Sequence, residues 1–136
     1  MRLFPTYAAA IAALMLTAGC SQRPGLKDSA LTEDGRYRVT WWKTPPNPIK
    51  ANSYFELFVE VEDLKTDKDP SDFRFNATMP SHRHGMNTVA SPWRFKRDAW
   101  ILRDLNLHMP GEWVMTFDVT DHNGVLHRAS ETVILE

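Results

Sequence analysis

Thiols are almost absent from this chain: Cys20 is the single cysteine in 136 residues. Whatever folds downstream of it has no disulfide, no zinc–thiolate site and no cysteine nucleophile, and must be stable on packing alone. Glycine is also sparse, and the six present form no phosphate-cradling loop. No stripe of basic residues exists and the formal net charge is -1, which argues against a nucleic-acid partner. Apolar residues nowhere recur at helical spacing. No Ser/His/Asp arrangement is visible, and the carboxylates are scattered along solvent faces, so no enzyme is expected.

The one long apolar stretch is at the amino terminus. Arg2 supplies a positive n-region, and Ala8 to Leu16 is an apolar run too short to span a bilayer as a mature helix. Thr17-Ala18-Gly19-Cys20 then reads as a bacterial lipobox, in which a signal peptidase cuts before a cysteine that receives lipid. Thr17 departs from the usual leucine. The expectation is a signal peptide over 1–19 and a lipidated Cys20 as the contact with a membrane. Ser21, where an Asp would retain such a protein in the inner membrane, resembles outer-membrane sorting, facing the periplasm. Losing the leader removes Arg2 and no acid, leaving fifteen basic against seventeen acidic residues.

Ser21 to Gly35 is polar, holds Pro24 and Gly25, and reads with Cys20 as a tether over 20–35. From Arg36 the pattern alternates, and 36–136 is expected to be one domain. Tyr37, Val39 and Trp41 share a face; so do Phe55, Leu57, Val59 and Val61, with Phe58 the apolar exception on the other side. Phe73, Phe75, Ala77 and Met79 form a third stripe. Asn87 to Lys96 is weaker and broken by Pro92. Trp100 to Leu107 is another strand. Trp113, Met115, Phe117 and Val119 begin a hairpin that turns at Asn123-Gly124 and returns over Val125 to Leu135. About seven short strands predict an all-β fold, an immunoglobulin-like two-sheet β-sandwich. Within it, Trp113 follows a glycine turn and suits the corner between sheets. The other tryptophans, Trp41, Trp42, Trp93 and Trp100, are expected in core and corner packing.

Two short runs stand out: Met79-Pro80-Ser81-His82-Arg83-His84-Gly85-Met86 and His108-Met109-Pro110-Gly111. Between them they hold three of the five histidines and three of the four methionines beyond the leader. On an extended segment His82 and His84 point the same way, and Gly85 permits a tight turn before Met86. Imidazoles with thioethers form a borderline-soft set, poor for hard ions and good for Cu(I), with Cu(II) also served by imidazole. His82, His84 and Met86 are the first-choice copper ligands and His108 the fourth. Met79 and Met109 are reserve ligands, since strand alternation places each in the core. Adjacent residues on a strand face opposite ways, so His108 is expected to ligate and Met109 to turn inward. His122 reads as turn surface and His127 as an exposed strand position. The same loops would also serve a non-catalytic interaction module docking on an envelope protein.

The series Met79-Pro80-x-His82-x-His84-Gly85-Met86, then Leu105-x-Leu107-His108-Met109-Pro110-Gly111-x-Trp113, resembles the YtkA-like domain, with kinship to FixH-like proteins, over Tyr37 to Leu135. That resemblance implies an immunoglobulin-like sandwich, exported and often lipid-anchored, connected with copper handling or cytochrome-oxidase assembly. A protein that binds copper at these loops is expected to pass it to an envelope protein as partner. A looser likeness is to the PCuAC-type periplasmic copper chaperones, which use a histidine and methionines in one loop and a later histidine-x-methionine pair. Here His108 and Met109 are adjacent, without that spacer.

Overall fold

The computed structural model describes residues 27–136. The expected signal peptide, Cys20 and the first part of the tether lie outside the described residues. The described chain forms nine strands: β1 Asp28–Leu31, β2 Tyr37–Thr44, β3 Tyr54–Asp63, β4 Asp72–Met79, β5 His84–Gly85, β6 Pro92–Lys96, β7 Ala99–Asn106, β8 Gly111–Thr120 and β9 Leu126–Leu135. They pair into two antiparallel sheets, one ordered β1-β2-β3-β7-β6 and the other β5-β4-β8-β9. The fold is the expected β-sandwich.

Side-chain alternation decides which face each strand buries. Tyr37, Val39 and Trp41 from β2, Phe55, Leu57, Val59 and Val61 from β3, and Trp100 and Leu102 from β7 form one wall. Phe73, Phe75, Ala77 and Met79 of β4 and Trp113, Met115, Phe117 and Val119 of β8 form the other. Trp41 stacks on Phe117 across the sheets, ring centroids 4.5 Å apart. Burial of this continuous apolar layer is the main stabilising term of a domain without crosslinks in its core.

Two strands exceed the expected seven, and both have local causes. Asp28–Leu31 falls within the expected tether but pairs with β2 in the register Asp28↔Trp41 to Leu31↔Arg38. Ala30 rests against the core, Thr32 N–H donates to the Tyr37 carbonyl at 2.9 Å, and Glu33 N–H to the Arg128 carbonyl at 2.8 Å. The polar composition of this segment concealed an edge strand. β5 is a two-residue strand inside the histidine run, pairing Met79↔His84 and Thr78↔Gly85. Of the weak stretch 87–96, only Pro92–Lys96 is extended strand.

The β4–β8 register, Thr78↔Val114 at its last pair, sets the carboxyl end of β4 beside the start of β8. The loop from Leu107 to Gly111 therefore abuts the loop from Pro80 to Arg83. This pairing is what brings the two His/Met runs to one end of the sandwich.

Candidate metal centre

His84 is the middle of the cluster. Its ring lies 5.1 Å from that of His108, inclined by 28°, and 5.7 Å from that of His82. Below them is Trp113, fully buried, whose indole meets His108 at 5.4 Å and His84 at 5.9 Å, both edge to face. Two loops some two dozen positions apart in sequence thus deliver two imidazoles, His84 and His108, onto one indole, with His82 reaching the cluster through His84. Trp113 fills the corner between sheets, as expected, and is also the floor of the site. Its second role had no sequence signal, because nothing in the pattern tells which side chains rest on a buried ring.

His82 and His84 do not meet by the route expected of an extended segment. Residues 80–83 form a turn in which His82 N–H and Arg83 N–H both donate to the Met79 carbonyl, at 3.2 and 2.9 Å. Arg83, not Gly85, takes the left-handed conformation, with φ 56°. Gly85 instead lies in β5, where a Cβ would stand 3.4 Å from the Ala77 carbonyl oxygen. The turn reverses the chain between the two histidines, leaving His82 exposed and His84 half-buried.

The ring nitrogens differ in their surroundings. His84 Nδ1 lies 3.0 Å from the Gly85 carbonyl oxygen. A carbonyl only accepts, so Nδ1 carries the hydrogen, and the neutral ring keeps its lone pair on Nε2. His108 Nδ1 is buried without a hydrogen-bond partner. Such a nitrogen is costly unless something engages it.

The thioethers divide. Met79 is 1% exposed and part of the core, its Cε 2.9 Å from where a Cβ on Gly111 would sit. It supports the 108–111 turn from below. Met109 lies in the bend between β7 and β8, half-buried against the core. Met86 is half-buried, and its N–H donates to the Ala77 carbonyl at 3.2 Å. Among the described residues, no three His, Cys, Asp or Glu side chains stand ready to hold a metal ion. The three imidazoles form a chain of contacts with His84 as its middle link. Comparison with protein-family models, curated proteins and solved structures returns no match.

His127 corrects the sequence reading. It is 8% exposed rather than on the surface, and lies at the other end of the sandwich against the edge of Tyr37. Its Nδ1 is 2.6 Å from Asp34 Oδ2 and its Nε2 3.2 Å from Asp121 Oδ2. Arg36 continues the chain of charges, 3.3 Å from Asp121 and 3.0 Å from Asp63. The Thr32 hydroxyl, with help from His127 and the Arg36 amide, holds the Asp34 carboxyl down at about 2. Burial alone would raise Asp63; the Arg36 guanidinium and Thr66 hydroxyl outweigh it and keep that carboxyl well below the usual range. The Val125 amide, then His127 and the Asn123 amide, lower Asp121. Asp34 lies in the segment expected to be tether, so its partner on β9 was read as surface. His122, beside the hairpin turn, is exposed as expected.

Proposed function

We propose that the His82–His84–His108 cluster is a copper site and that the chain is an exported, lipid-anchored protein that holds or delivers copper in the periplasm. The observation that carries this reading is the buried, unpartnered His108 Nδ1 beside His84, whose own tautomer leaves Nε2 free. With metal–nitrogen bonds of about 2 Å, two rings on a shared ion stand roughly 5–6 Å apart centroid to centroid. The separations of 5.1 and 5.7 Å between His84 and its two neighbours fall in that range. Met86, two residues after His84 and half-buried against the core, would supply a thioether that favours Cu(I), while the imidazoles serve either oxidation state. Met79 and Met109, packed into or against the core, are supports in this reading. The resemblance of the two runs to YtkA-like domains agrees with it.

The alternative reading is an interaction module that presents the same loops to an envelope protein. The exposure of His82 and Arg83 favours it. Chelator competition for Cu(I) decides between the two. Removing His82 or His84 should cost more than about tenfold in affinity. Removing both should add little, because ligands of one ion act as a unit. Met86→Leu should weaken Cu(I) more than Cu(II). A double His82→Ala/His84→Ala chain that binds Cu(I) like the wild type overturns the copper reading and leaves the interaction module.

A further inference from the structure

The outward face of the five-stranded sheet carries a row of large apolar side chains where a solvated sheet would carry polar ones. The register sets Trp42 opposite Phe58, Phe58 opposite Ile101, and Ile101 opposite Trp93. The row thus runs across β2, β3, β7 and β6. The Trp42 and Phe58 rings lie 5.5 Å apart and nearly parallel, and Phe95 joins Phe58 at 6.1 Å and Trp93 at 6.3 Å. Trp93 is 57% exposed, and Ile101 is covered by its neighbours to 8%. Of the four tryptophans expected in core and corner packing, Trp41 and Trp100 are buried, whereas Trp42 and Trp93 lie on this outward face.

The acids around the row are matched. Every outward glutamate of β3 meets a cation from a neighbouring segment: Glu60 with Lys27 at 3.2 Å, Glu62 with Arg38 at 2.7 Å, and Glu56 with Arg103 at 3.6 Å. Lys27 Nζ also stands 4.1 Å from the Trp42 ring and Arg103 lies 5.8 Å from that of Trp93. With their acids neutralised and their stems laid over the rings, these side chains do not repel a headgroup layer. Tryptophan favours the boundary between water and lipid.

The described chain begins at Lys27, on this row. Cys20 is seven residues earlier, and seven residues reach at most about 25 Å whatever their conformation. The geometry points to the outer face of the β1-β2-β3-β7-β6 sheet as a membrane-docking surface, which lies on the bilayer that the Cys20 lipid enters. This rests on the anchored reading for the position of the bilayer and is independent of the copper site. A glycan platform would need free hydroxyl- or amide-bearing side chains beside the rings. The three glutamates of β3 are already engaged, and among the register neighbours Thr40, Glu60 and Ala99 only Thr40 offers a hydroxyl and none an amide.

The test uses the full chain purified with its lipid and reconstituted in phosphatidylcholine vesicles whose acyl chains are brominated. Trp41, Trp100 and Trp113 are buried, so quenching of tryptophan emission reports Trp42 and Trp93. Emission should fall relative to unbrominated vesicles. The loss should persist at high salt, because the contact is made by apolar rings, and a Trp42→Phe/Trp93→Phe chain should abolish most of it. A mass spectrum of the purified protein reports the Cys20 lipid separately, so a failed anchor and a failed face are distinct results. Unquenched emission, or quenching that the double substitution leaves unchanged, overturns the docking surface. So does sedimentation of the protein with insoluble polysaccharide that the same double substitution removes.

Discussion

The indole Nε1 of Trp113 donates to the carbonyl oxygen of Met109 at 2.9 Å. One side chain thereby closes the turn that carries His108, plugs the corner between the sheets, and underlies two imidazoles. Its two contributions, packing and hydrogen bonding, are separable by substitution. Trp113→Ala should destabilise the domain by about 3–5 kcal/mol. Trp113→Phe keeps most of the packing but leaves the Met109 carbonyl unpaired, and should cost about 1–3 kcal/mol. Glu112→Ala, on the exposed side, should change little. Urea denaturation of the three chains checks the ranking; equal losses for Trp113→Ala and Glu112→Ala would contradict it.

Gly111 has φ 121°, a backbone conformation that side chains disfavour, and a Cβ there would stand 2.9 Å from Met79 Cε. Met79 is flexible and can yield, but the backbone cannot. Gly111→Ala should therefore cost about 1–3 kcal/mol. Gly85→Ala, with 3.4 Å to its nearest neighbour and no left-handed φ, should cost less. Thermal melts of the two chains make the comparison.

His127→Ala removes both a buried ring against Tyr37 and its contacts to two carboxylates, and should destabilise by about 1–3 kcal/mol. His122→Ala, on the exposed turn, should leave the melting temperature unchanged. Matching losses at the two sites would show that the His127 contacts do not hold in solution.

Acid should weaken the same end of the fold. The Asp34 carboxyl titrates at about 2 in the folded chain, below its ordinary 3.8. A depressed carboxylate binds its proton more readily when unfolded, so its stabilisation is present above the ordinary value and is lost as pH falls through about 2. Asp63 and Asp121, also lowered, act in the same direction. Denaturation followed from pH 5 down to pH 2 should show stability falling, and Asp34→Asn should flatten that slope. A slope unchanged by the substitution would exclude Asp34 as a contributor.

Much of this was legible in the sequence because a two-residue period is strong where one face is buried. Phe73 to Met79 and Trp113 to Val119 are inward as their alternation required, and the corner role of Trp113 followed from the glycine turn before it. The placement of His84 beside His108 was an inference from sandwich topology, and the β4–β8 register provides it. What escaped had long-range causes. Asp28–Leu31 is too polar to announce a strand, and His127 is buried only because that segment returns to cover it. Trp42 and Trp93 look like core residues by composition, yet alternation about Trp41 already put Trp42 on the outside. The turn at 80–83 could not be read because its left-handed residue is Arg83, with a glycine two positions away as a decoy.

The placement of β1 at the edge of its sheet has a mechanical consequence. A pull applied on the amino-terminal side of Lys27 loads the open end of the β1–β2 hairpin, so the ladder yields one pair at a time, from Asp28↔Trp41 toward Leu31↔Arg38. The next resistance is at Thr32, bonded to Tyr37 on β2, and then at Glu33 and Asp34, tied to Arg128 and His127 on β9. Beyond that point the force passes into the opposite sheet. Four residues of slack can thus be released under tension while the corner beneath His84 and His108, at the other end of the sandwich, carries no load.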